Sequence, residues 1–320
     1  MKASVHNKYG SPDVLYLKEL EKPIPKDNEV LIKVYASTVN RTDCAMLRAK
    51  PFIMRFFTGL FKPKNQIPGT DFAGKIEAVG KNVLNFKIGD KVFGFNDQGL
   101  CSHAQYMTFA ENDAISIMPE NITYEKAAAS MEGAHYAYNF INKVNIENDD
   151  KVLVNGATGA IGSAMAQLLK YYKADVTAVC NGKDAELVKS IGADHVIDYT
   201  KEDFTKINGK YNYVFDAVGK SSFAKCKPIL VEYGIYISSE LGWMLQNLFF
   251  SLFTPIFSKK KVKFPIPTNC KRTVLLIKKL MEEEKFIAVI DRTYPQEEIA
   301  KAYRYVEAGQ KIGNVVITID

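Results

Sequence analysis

Three glycines at regular spacing form the strongest chemical signal in this chain. Gly156, Gly159 and Gly162 follow an apolar run, 151–155, and open an amphipathic segment, 160–172. A strand-to-helix turn of this kind lets backbone N–H groups approach a pyrophosphate, and the helix N-terminus adds partial positive charge. The spacing is GxxGxxG and not GxGxxG, but the strand and helix around it predict a dinucleotide-binding turn. The predicted contacts are Gly156, Ala157, Thr158, Gly159, Ala160, Ile161 and Gly162.

The tip of the next predicted strand, 175–180, indicates which dinucleotide binds. No acidic residue stands there to hold the ribose hydroxyls of NADH. Asn181 and Lys183 can instead hydrogen-bond and neutralise a 2′-phosphate. Asp184 fits better in the first turn of the following helix, and the ring of Tyr199 can lie beside the adenine ribose. The sequence therefore favours NADPH.

The composition bounds the class of protein. The chain has 320 residues, of which 47% are hydrophobic and 24% charged, so it has room for two globular domains. The net charge of +6 is spread along the chain and forms no basic stripe, so we expect no nucleic-acid partner. The five cysteines are widely spaced and include no CxxC pair, which favours free thiols. With a polar, strand-like opening, Met1–Gly10, this indicates a cytoplasmic protein.

The hydrophobic pattern divides the chain into three parts. Residues 1–122 carry short alternating segments, such as 29–37, 75–80 and 91–95, which predict a β-rich domain of barrel or sandwich type. Residues 123–267 begin with a helical pattern at 125–144. They then alternate strands at 151–155, 175–180, 195–198, 213–217 and 235–239 with helices, which predicts a doubly wound parallel sheet. Residues 268–320, with two helices and a closing strand, are expected to return to the first domain.

Two apolar segments stand out from this pattern. Leu241–Phe257, the apolar part of the segment Leu241–Lys261, is short for a membrane span and contains Pro255, so we expect a buried or capping helix. The alternative is a dimer contact or a weak membrane-surface contact, because three lysines follow directly. The second segment, Lys50–Lys64, is apolar and basic, and it is expected to be a helix-bearing loop, a lid over a substrate pocket, or both.

Three separated motifs resemble one family. They are IPGTDFAGKIEAVGKNVLNFKIGDKVFGF (67–95), DKVLVNGATGAIGSAMAQLLK (150–170) and GADHVIDY (192–199). Together they resemble the medium-chain dehydrogenase/reductase superfamily, most of all its zinc-free quinone-oxidoreductase branch, over nearly the whole chain. The resemblance implies a GroES-like catalytic domain with an inserted Rossmann domain. It also implies NADPH as hydride donor and a homodimer.

The zinc enzymes of this superfamily provide a contrast. Asn40 stands where they carry a cysteine ligand, Gly69-Thr70-Asp71 replaces their G-H-E, and no cysteine lies near 131–133. A zinc site needs three or four converging N, S or O ligands. The resemblance therefore predicts a protein without a metal.

Without zinc, other groups must assist the chemistry. Asn40 matches the pocket asparagine of the branch and can hydrogen-bond a carbonyl oxygen as it gains charge. Glu132 and His135 depart from the small residues that the branch usually has there, and either can deliver a proton after hydride transfer. Structural roles remain the alternative for both. Four more residues are expected to line the cofactor at strand ends, Ala217, Val218, Ser238 and Ser239, and Asn314 to reach its nicotinamide side.

These expectations define a zinc-independent, NADPH-dependent oxidoreductase that transfers hydride to a quinone, enone or 2-alkenal. Two alternatives remain. A zinc-free alcohol or aldehyde dehydrogenase would lack the metal that lowers the pKa of an alcohol. A protein that binds NADPH for a structural or sensing role would show no turnover.

Overall fold

The computed structural model describes residues 1–52 and 54–320. The strands are β1 (Lys2–Val5), β2 (Tyr16–Glu19), β3 (Glu29–Val39), β4 (Asp71–Val79), β5 (Lys91–Phe95), β6 (Tyr106–Ala110), β7 (Ile115–Ile117), β8 (Lys151–Asn155), β9 (Asp175–Cys180), β10 (His195–Asp198), β11 (Tyr211–Asp216), β12 (Leu230–Ser238), β13 (Lys261–Lys263), β14 (Ile290–Pro295) and β15 (Asn314–Thr318). The helices are α1 (Arg41–Arg48), α2 (Met54–Thr58), α3 (Tyr124–Ala129), α4 (Glu132–Ile141), α5 (Ala160–Tyr171), α6 (Ala185–Ser190), α7 (Phe223–Cys226), α8 (Gln246–Phe257), α9 (Cys270–Glu282) and α10 (Ile299–Glu307).

The first unit, residues 1–132 and 269–320, is the GroES-like β-rich half of the protein. Its main sheet has the order β14-β15-β3-β4-β5-β7, with β6 also paired to β3. Strand β3 is long and alternates buried and less buried positions, so it can pair with β15, β4 and β6 along its length. Helix α10 packs its buried Ile299, Tyr303 and Val306 into the core of this sheet.

The second unit, residues 133–268, is a doubly wound Rossmann sheet. All six strands are parallel, in the order β10-β9-β8-β11-β12-β13. The central strands are buried on both faces and read as continuous apolar runs, as parallel strands covered by helices must. Parallel pairing brings the carboxyl ends of these strands to one edge, next to the turn that follows β8. The predicted fold class, α/β with a GroES-like and a Rossmann part, is confirmed.

The first boundary between the units lies at 132/133, ten residues after the predicted 122/123, and the second lies at 268/269, one residue after the predicted 267/268. Helix α3 packs on β3 and β4 and belongs to the first unit. The predicted helix 125–144 is two helices, because α3 ends at Ser130, whose hydroxyl donates to Lys126 O at 2.6 Å. Residues 269–320 return to the first unit as predicted, with Val315 of β15 paired to Val39 of β3.

Helix α8 exposes the apolar face that the expected buried or capping helix would cover. Most of its apolar side chains face solvent, although Phe250 packs against the core of the second unit, and the polar Asn247 and Thr254 are buried. Thr254 Oγ1 accepts the Val262 N–H at 2.8 Å, and Asn247 Nδ2 donates to Glu240 O at 2.8 Å. The prediction of a buried apolar helix at 241–257 was therefore wrong. Among the described helices, none has the length and apolarity needed to cross a bilayer.

The segment Lys50–Lys64 contains α2, in agreement with the expected helix-bearing loop. Phe52, Phe56 and Phe61 are exposed, and the Phe52 and Phe56 rings meet edge to face at 6.1 Å. Ile53, which lies in this predicted segment, is outside the described residues. The segment is therefore a second exposed apolar surface, in the first unit.

Candidate functional site

In the glycine turn of the second unit, neighbouring atoms lie very close to the backbone of two of the three glycines. Gly156 has φ +82°, and a Cβ there would lie 2.3 Å from Val218 Cγ1. A Cβ on Gly162 would lie 2.1 Å from Gly156 O, so α5 packs against the turn only with glycine at this position. Gly159 differs, since its φ is −72° and an added Cβ would meet no atom closer than 3.6 Å. The protein itself therefore does not require glycine at Gly159, which precedes the open N-terminus of α5.

One buried carboxylate fixes the strand ends beside this turn. Asp216, at the end of β11, accepts hydrogen bonds from Asn155 Nδ2 at 2.9 Å and Ser221 N–H at 2.8 Å. It is paired in register with Asn155 on one side and Ser238 on the other, and its carbonyl accepts the Ser239 N–H. The structure thus brings the predicted residues Ala217, Val218, Ser238 and Ser239 to the same edge as Gly156–Gly162. The sequence analysis did not identify Asp216 as the residue that holds these strand ends together, although an Asp at the end of a strand could have indicated this role.

The predicted 2′-phosphate residues lie on the neighbouring strand ends of the same edge. Asn181 Oδ1 accepts the Lys183 N–H at 3.2 Å, and Tyr199, 58% exposed, donates its N–H to Cys180 O. Asp198 was not foreseen here. A Cβ added to Gly182 would lie only 2.2 Å from Asp198 Oδ2, so this carboxylate packs directly against the glycine.

The polar cluster of the first unit is centred on Glu132, which is 4% exposed. Thr70 Oγ1 donates to Glu132 Oε2 at 2.6 Å, and the side chains of Thr42 and Asn40 also hydrogen-bond this carboxyl. Asn40, Thr70 and Glu132 are the positions compared with the zinc ligands of the family. In this chain their side chains hydrogen-bond one another, and the Glu132 carboxyl is the group that Asn40 and Thr70 share.

Asn40 is held in place by the start of helix α1. Its N–H donates to Asp43 Oδ2 at 2.8 Å, and its amide Nδ2 donates to Thr38 Oγ1 at 2.6 Å and bonds Glu132. The amide hydrogens of Asn40 are thus engaged within the protein, and they orient the Glu132 carboxyl. A contact to a substrate oxygen would have to replace one of these bonds.

The cluster holds three buried carboxyls and one lysine. Burial raises the pKa of Asp71 to about 7, and it also raises the pKa of Asp43 and Glu132; the charge of Glu132 further raises the pKa of both aspartates. Burial lowers the pKa of Lys311 to about 8, and the nearby Glu132 opposes this effect. Neighbouring acids that cannot all ionise retain protons near neutral pH, so the cluster can donate one. Lys311 was missed because the sequence around it has the polar pattern of a surface loop.

His135 lies in the second unit and is fully buried. Burial lowers its pKa to about 4, so the imidazole is neutral at pH 7. Asn139 Nδ2 lies 3.4 Å from its Nε2 and donates to its backbone O at 2.8 Å. A neutral imidazole is a weaker acid than a protonated carboxyl, so the environment favours Glu132 over His135 as the proton donor.

His103, a second buried histidine, makes the stability of the first unit depend on pH. Its Nε2–H donates to Thr38 O at 2.9 Å, and its Nδ1 lies 3.4 Å from Tyr303 Oη. Burial lowers its pKa from 6.5 to about 4. Between these values the unfolded chain binds more protons than the folded one, so the stabilising contribution is lost as pH falls from 6.5 to 4.

We therefore expect His103→Gln to change the pH dependence of unfolding. Between pH 7 and pH 4 the variant should lose about 3 kcal/mol less free energy of unfolding than the unsubstituted protein, at 1.36 kcal/mol per pH unit. Denaturant unfolding at several pH values measures the difference, with His195→Gln, an exposed histidine, as the reference. Parallel curves for His103→Gln and the unsubstituted protein would contradict this account.

Asn314, at the start of β15, offers a free acceptor. It is 3% exposed, its Nδ2 donates to Val289 O at 3.0 Å, and its buried Oδ1 has no hydrogen-bond partner among the described residues. A buried amide oxygen left without a donor costs free energy unless a ligand supplies one. That Asn314 reaches the nicotinamide side of a cofactor stays a prediction.

Comparison with known proteins places these features in a family. Residues 26–141 match the model of the alcohol dehydrogenase GroES-like domain, and residues 191–317 match that of zinc-binding dehydrogenases. A 2-methylene-furan-3-one reductase of Solanum lycopersicum is 30% identical over 331 residues, 99% of this chain and 79% of the relative. An NADPH-dependent alkenal/one oxidoreductase of Arabidopsis thaliana, described as chloroplastic, has the same identity and coverage. The quinone oxidoreductase structure from Coxiella burnetii has a TM-score of 0.88 and 25% identity, and the match covers 100% of this chain and 99% of that one.

The chain belongs to the medium-chain dehydrogenase/reductase superfamily, in its quinone-oxidoreductase-like branch. The family predicted from the three motifs is therefore confirmed. Membership makes the protein an oxidoreductase with a nicotinamide cofactor, and its Rossmann unit is the unit that holds such a cofactor in this fold.

Proposed function

We propose that this protein is a metal-independent reductase that passes hydride from NADPH to a quinone, an enone or a 2-alkenal. The observation that carries the proposal is the Glu132 cluster. A buried carboxyl, whose pKa is raised by burial and which accepts hydrogen bonds from Thr70 and Asn40, lies at the positions compared with the zinc ligands of the family. The activities named for the relatives, an alkenal/one oxidoreductase and a quinone oxidoreductase, support the acceptor class.

When bound, the cofactor supplies the hydride. Addition of hydride to a conjugated acceptor places negative charge on that acceptor, and one proton completes the reduction. The protonated Glu132 carboxyl delivers this proton and becomes a carboxylate. The hydroxyls of Thr70 and Thr42 then stabilise that carboxylate, and Lys311 supplies the nearby positive charge.

The Rossmann unit offers groups that fit the cofactor. The N-terminus of α5 follows Gly159, where an added Cβ would meet no nearby protein atom, so its N–H groups can face a pyrophosphate. Asn314 Oδ1 lacks a donor, as a contact to the carboxamide requires. We propose that Gly156–Gly162, Ala217, Val218, Ser238 and Ser239 line this cofactor.

We further propose that NADPH is preferred to NADH through Asn181, Lys183 and Tyr199. We expect Lys183→Ala to raise the KM for NADPH about tenfold, because a charge-assisted contact to the 2′-phosphate is lost, and to change the KM for NADH less than about twofold. Asp198, the acid beside this loop, also hydrogen-bonds Thr200 N–H at 3.0 Å. Steady-state kinetics with both cofactors measures the effect.

The matched control for this prediction is Lys189→Ala, which removes another exposed lysine of the same unit, paired with Glu186 at 3.1 Å. It should leave both KM values unchanged. Equal increases for NADPH and NADH in Lys183→Ala would contradict a role in reading the 2′-phosphate.

The proposed activity is tested by following NADPH oxidation with a benzoquinone, a naphthoquinone, an enone, a 2-alkenal and a simple aldehyde. We expect turnover of a quinone, enone or alkenal that resists a chelator. Loss of activity with chelator, or turnover of the simple aldehyde alone, would overturn the proposal in favour of an alcohol or aldehyde dehydrogenase. Tight NADPH binding without turnover of any acceptor would indicate the structural or sensing alternative.

Two further expectations belong to this proposal. We propose a homodimer, as the family resemblance implies, and analytical ultracentrifugation tests it. We also propose a reducing compartment, the cytoplasm, because all five cysteines are free thiols. Localisation of a tagged full chain in its own cells tests this second expectation, since the Arabidopsis relative is described as chloroplastic.

A further inference from the structure

Thr38, near the end of β3, has a hydroxyl that makes two hydrogen bonds deep in the first unit. The hydroxyl donates to Asp71 Oδ2 and accepts a hydrogen bond from Asn40 Nδ2 at 2.6 Å. A threonine hydroxyl has one hydrogen to donate and lone pairs to accept, so it can join an acceptor to a donor. Thr38 therefore links the Asp71 carboxyl to the Asn40 amide.

The backbone of Thr38 fixes the position of this hydroxyl. Thr38 is fully buried, and its N–H donates to Asp71 Oδ1 at 2.7 Å. Its carbonyl O accepts a hydrogen bond from His103 Nε2 at 2.9 Å, and Val316 of β15 lies opposite it in register. Because both main-chain polar groups are bonded in a buried sheet, the hydroxyl has little freedom to move.

The Asn40 amide passes this constraint on to the Glu132 carboxyl. Its Nδ2 carries two hydrogens. Thr38 accepts one hydrogen bond from this amide, which also hydrogen-bonds Glu132. The amide cannot rotate without breaking its bond to Thr38, so its contact with Glu132 keeps one direction. Such precision matters, because a displacement of about 1 Å can cost about 100-fold in rate.

Ser37 provides an internal comparison in the same strand. It is as fully buried as Thr38, and its hydroxyl also contacts Asp71, donating to the backbone O at 2.8 Å and lying 3.3 Å from Oδ1. Its other contact is Ser102 Oγ at 3.1 Å. Within the part of the chain that the structure describes, only the Thr38 hydroxyl of this pair also contacts Asn40.

We propose that Thr38 is a positioning residue for the reduction: anchored on Asp71, it holds the Asn40 amide in the orientation that directs the Glu132 carboxyl. This inference rests on the proposed role of Glu132 as proton donor and extends it to a residue that acts through Asn40. A purely structural hydroxyl would instead resemble that of Ser37, which is anchored on Asp71 without a link to the amide.

Steady-state kinetics of NADPH oxidation with an enone tests the proposal. Thr38→Val should lower kcat at least about tenfold and leave the KM for NADPH within about twofold, because only the anchor of the amide is lost. Thr38→Ser, which keeps the hydroxyl, should recover kcat to within about threefold. The matched control Ser37→Ala should keep kcat within about twofold. Equal losses in Thr38→Val and Ser37→Ala would overturn the proposal in favour of a structural role for both hydroxyls.

A double-mutant cycle with Asn40→Ala shows whether Thr38 acts through Asn40. In the Asn40→Ala background, Thr38→Val should cause less than about twofold further loss of kcat, because residues of one hydrogen-bond network are not additive. A loss of about tenfold in both backgrounds would overturn the proposal. Thr38→Ala, which removes the hydroxyl without adding a methyl group in its place, repeats the comparison if Thr38→Val does not fold.

The Asn40 amide can also be followed without turnover, in protein labelled with ¹⁵N-asparagine. The side-chain signal that Asn40→Ala removes should exchange its hydrogens with water at least about tenfold faster in Thr38→Val, because one hydrogen bond is lost. Ser37→Ala should leave the rate unchanged. An unchanged rate in Thr38→Val would overturn the proposal. Absence of turnover in the unsubstituted protein would instead overturn the proposed function, and the amide signal would still decide whether Thr38 holds Asn40.

Discussion

The Glu132→Gln variant is expected to reduce its acceptor at least about 100-fold more slowly, with the KM for NADPH nearly unchanged. General acids contribute about 10²- to 10⁴-fold to rates, and an amide cannot supply the proton. The substitution keeps the side-chain length and leaves the amide oxygen to accept the hydrogen bond from Thr70, so the fold should persist. Steady-state kinetics with an enone, together with thermal unfolding, measures both effects.

The pH profile separates a proton donor from a structural anchor. The pKa of Glu132 is raised by burial, so the donor form persists above the range of an ordinary glutamate, and kcat should fall as pH rises through the raised pKa. Glu132→Gln should abolish this alkaline decrease.

Two other variants serve as controls for the role of Glu132. Glu111→Gln alters another glutamate of low exposure that accepts backbone N–H groups, from Leu84 and Asn85, and it should keep full activity. His135→Gln should lose less than about tenfold, because its neutral imidazole is the weaker acid. If the loss were larger in His135→Gln than in Glu132→Gln, the assignment of the proton donor would be reversed.

The second large effect is expected from two alanine substitutions three residues apart. Gly162→Ala places a Cβ 2.1 Å from Gly156 O, which forces α5 away from the turn. We expect a loss of about 1–3 kcal/mol or more in the free energy of unfolding. Gly159→Ala meets no atom within 3.6 Å and has an allowed φ of −72°. It should cost about 1 kcal/mol or less, yet weaken NADPH binding at least tenfold, because the added methyl group would obstruct the pyrophosphate that we propose to lie at this turn.

Denaturant unfolding and NADPH titration by calorimetry distinguish the two glycines. The expected pattern is a folded Gly159→Ala protein with weak binding and a destabilised Gly162→Ala protein. Unchanged NADPH affinity in Gly159→Ala would show that the α5 N-terminus does not hold the pyrophosphate, whatever the stability of the Gly162→Ala protein.

Much of the Rossmann unit could be predicted from local sequence. The predicted bounds of β8, β9 and β10 match the structure, since each is a short apolar run ended by a turn residue. The glycine turn could also be predicted from the sequence, because its conformation depends on residues adjacent in sequence. The family motifs then supplied the fold class of the GroES-like unit, which alternation alone left open between a barrel and a sandwich.

The Glu132 cluster could be predicted only in part. Asn40 and Glu132 were singled out, but the bond from Thr70 joins residues 62 positions apart, and Lys311 comes from the returning segment. Such pairings depend on the register of β3 against β4 and on side-chain rotamers, which periodicity does not encode.

The orientation of α8 shows another limit of sequence reasoning. A helical stripe of apolar residues has the same spacing whether it faces a core or solvent, so the pattern at 241–257 predicted a helix and not its direction. Only the buried contacts of Asn247 and Thr254 determine which side faces inward.

The placement of β15 also determines the order in which the protein can fold. This strand lies between β14 and β3 in the sheet of the first unit, yet it is synthesised some 275 residues after β3. The Rossmann unit uses one continuous stretch of chain, so it can fold while translation continues. The GroES-like unit must keep an unpaired edge of β3 until the returning segment arrives, and the environment of Glu132 is complete only when Lys311 is in place. The environment of Glu132 is therefore completed late in folding, after the stretch that forms the Rossmann unit has been synthesised.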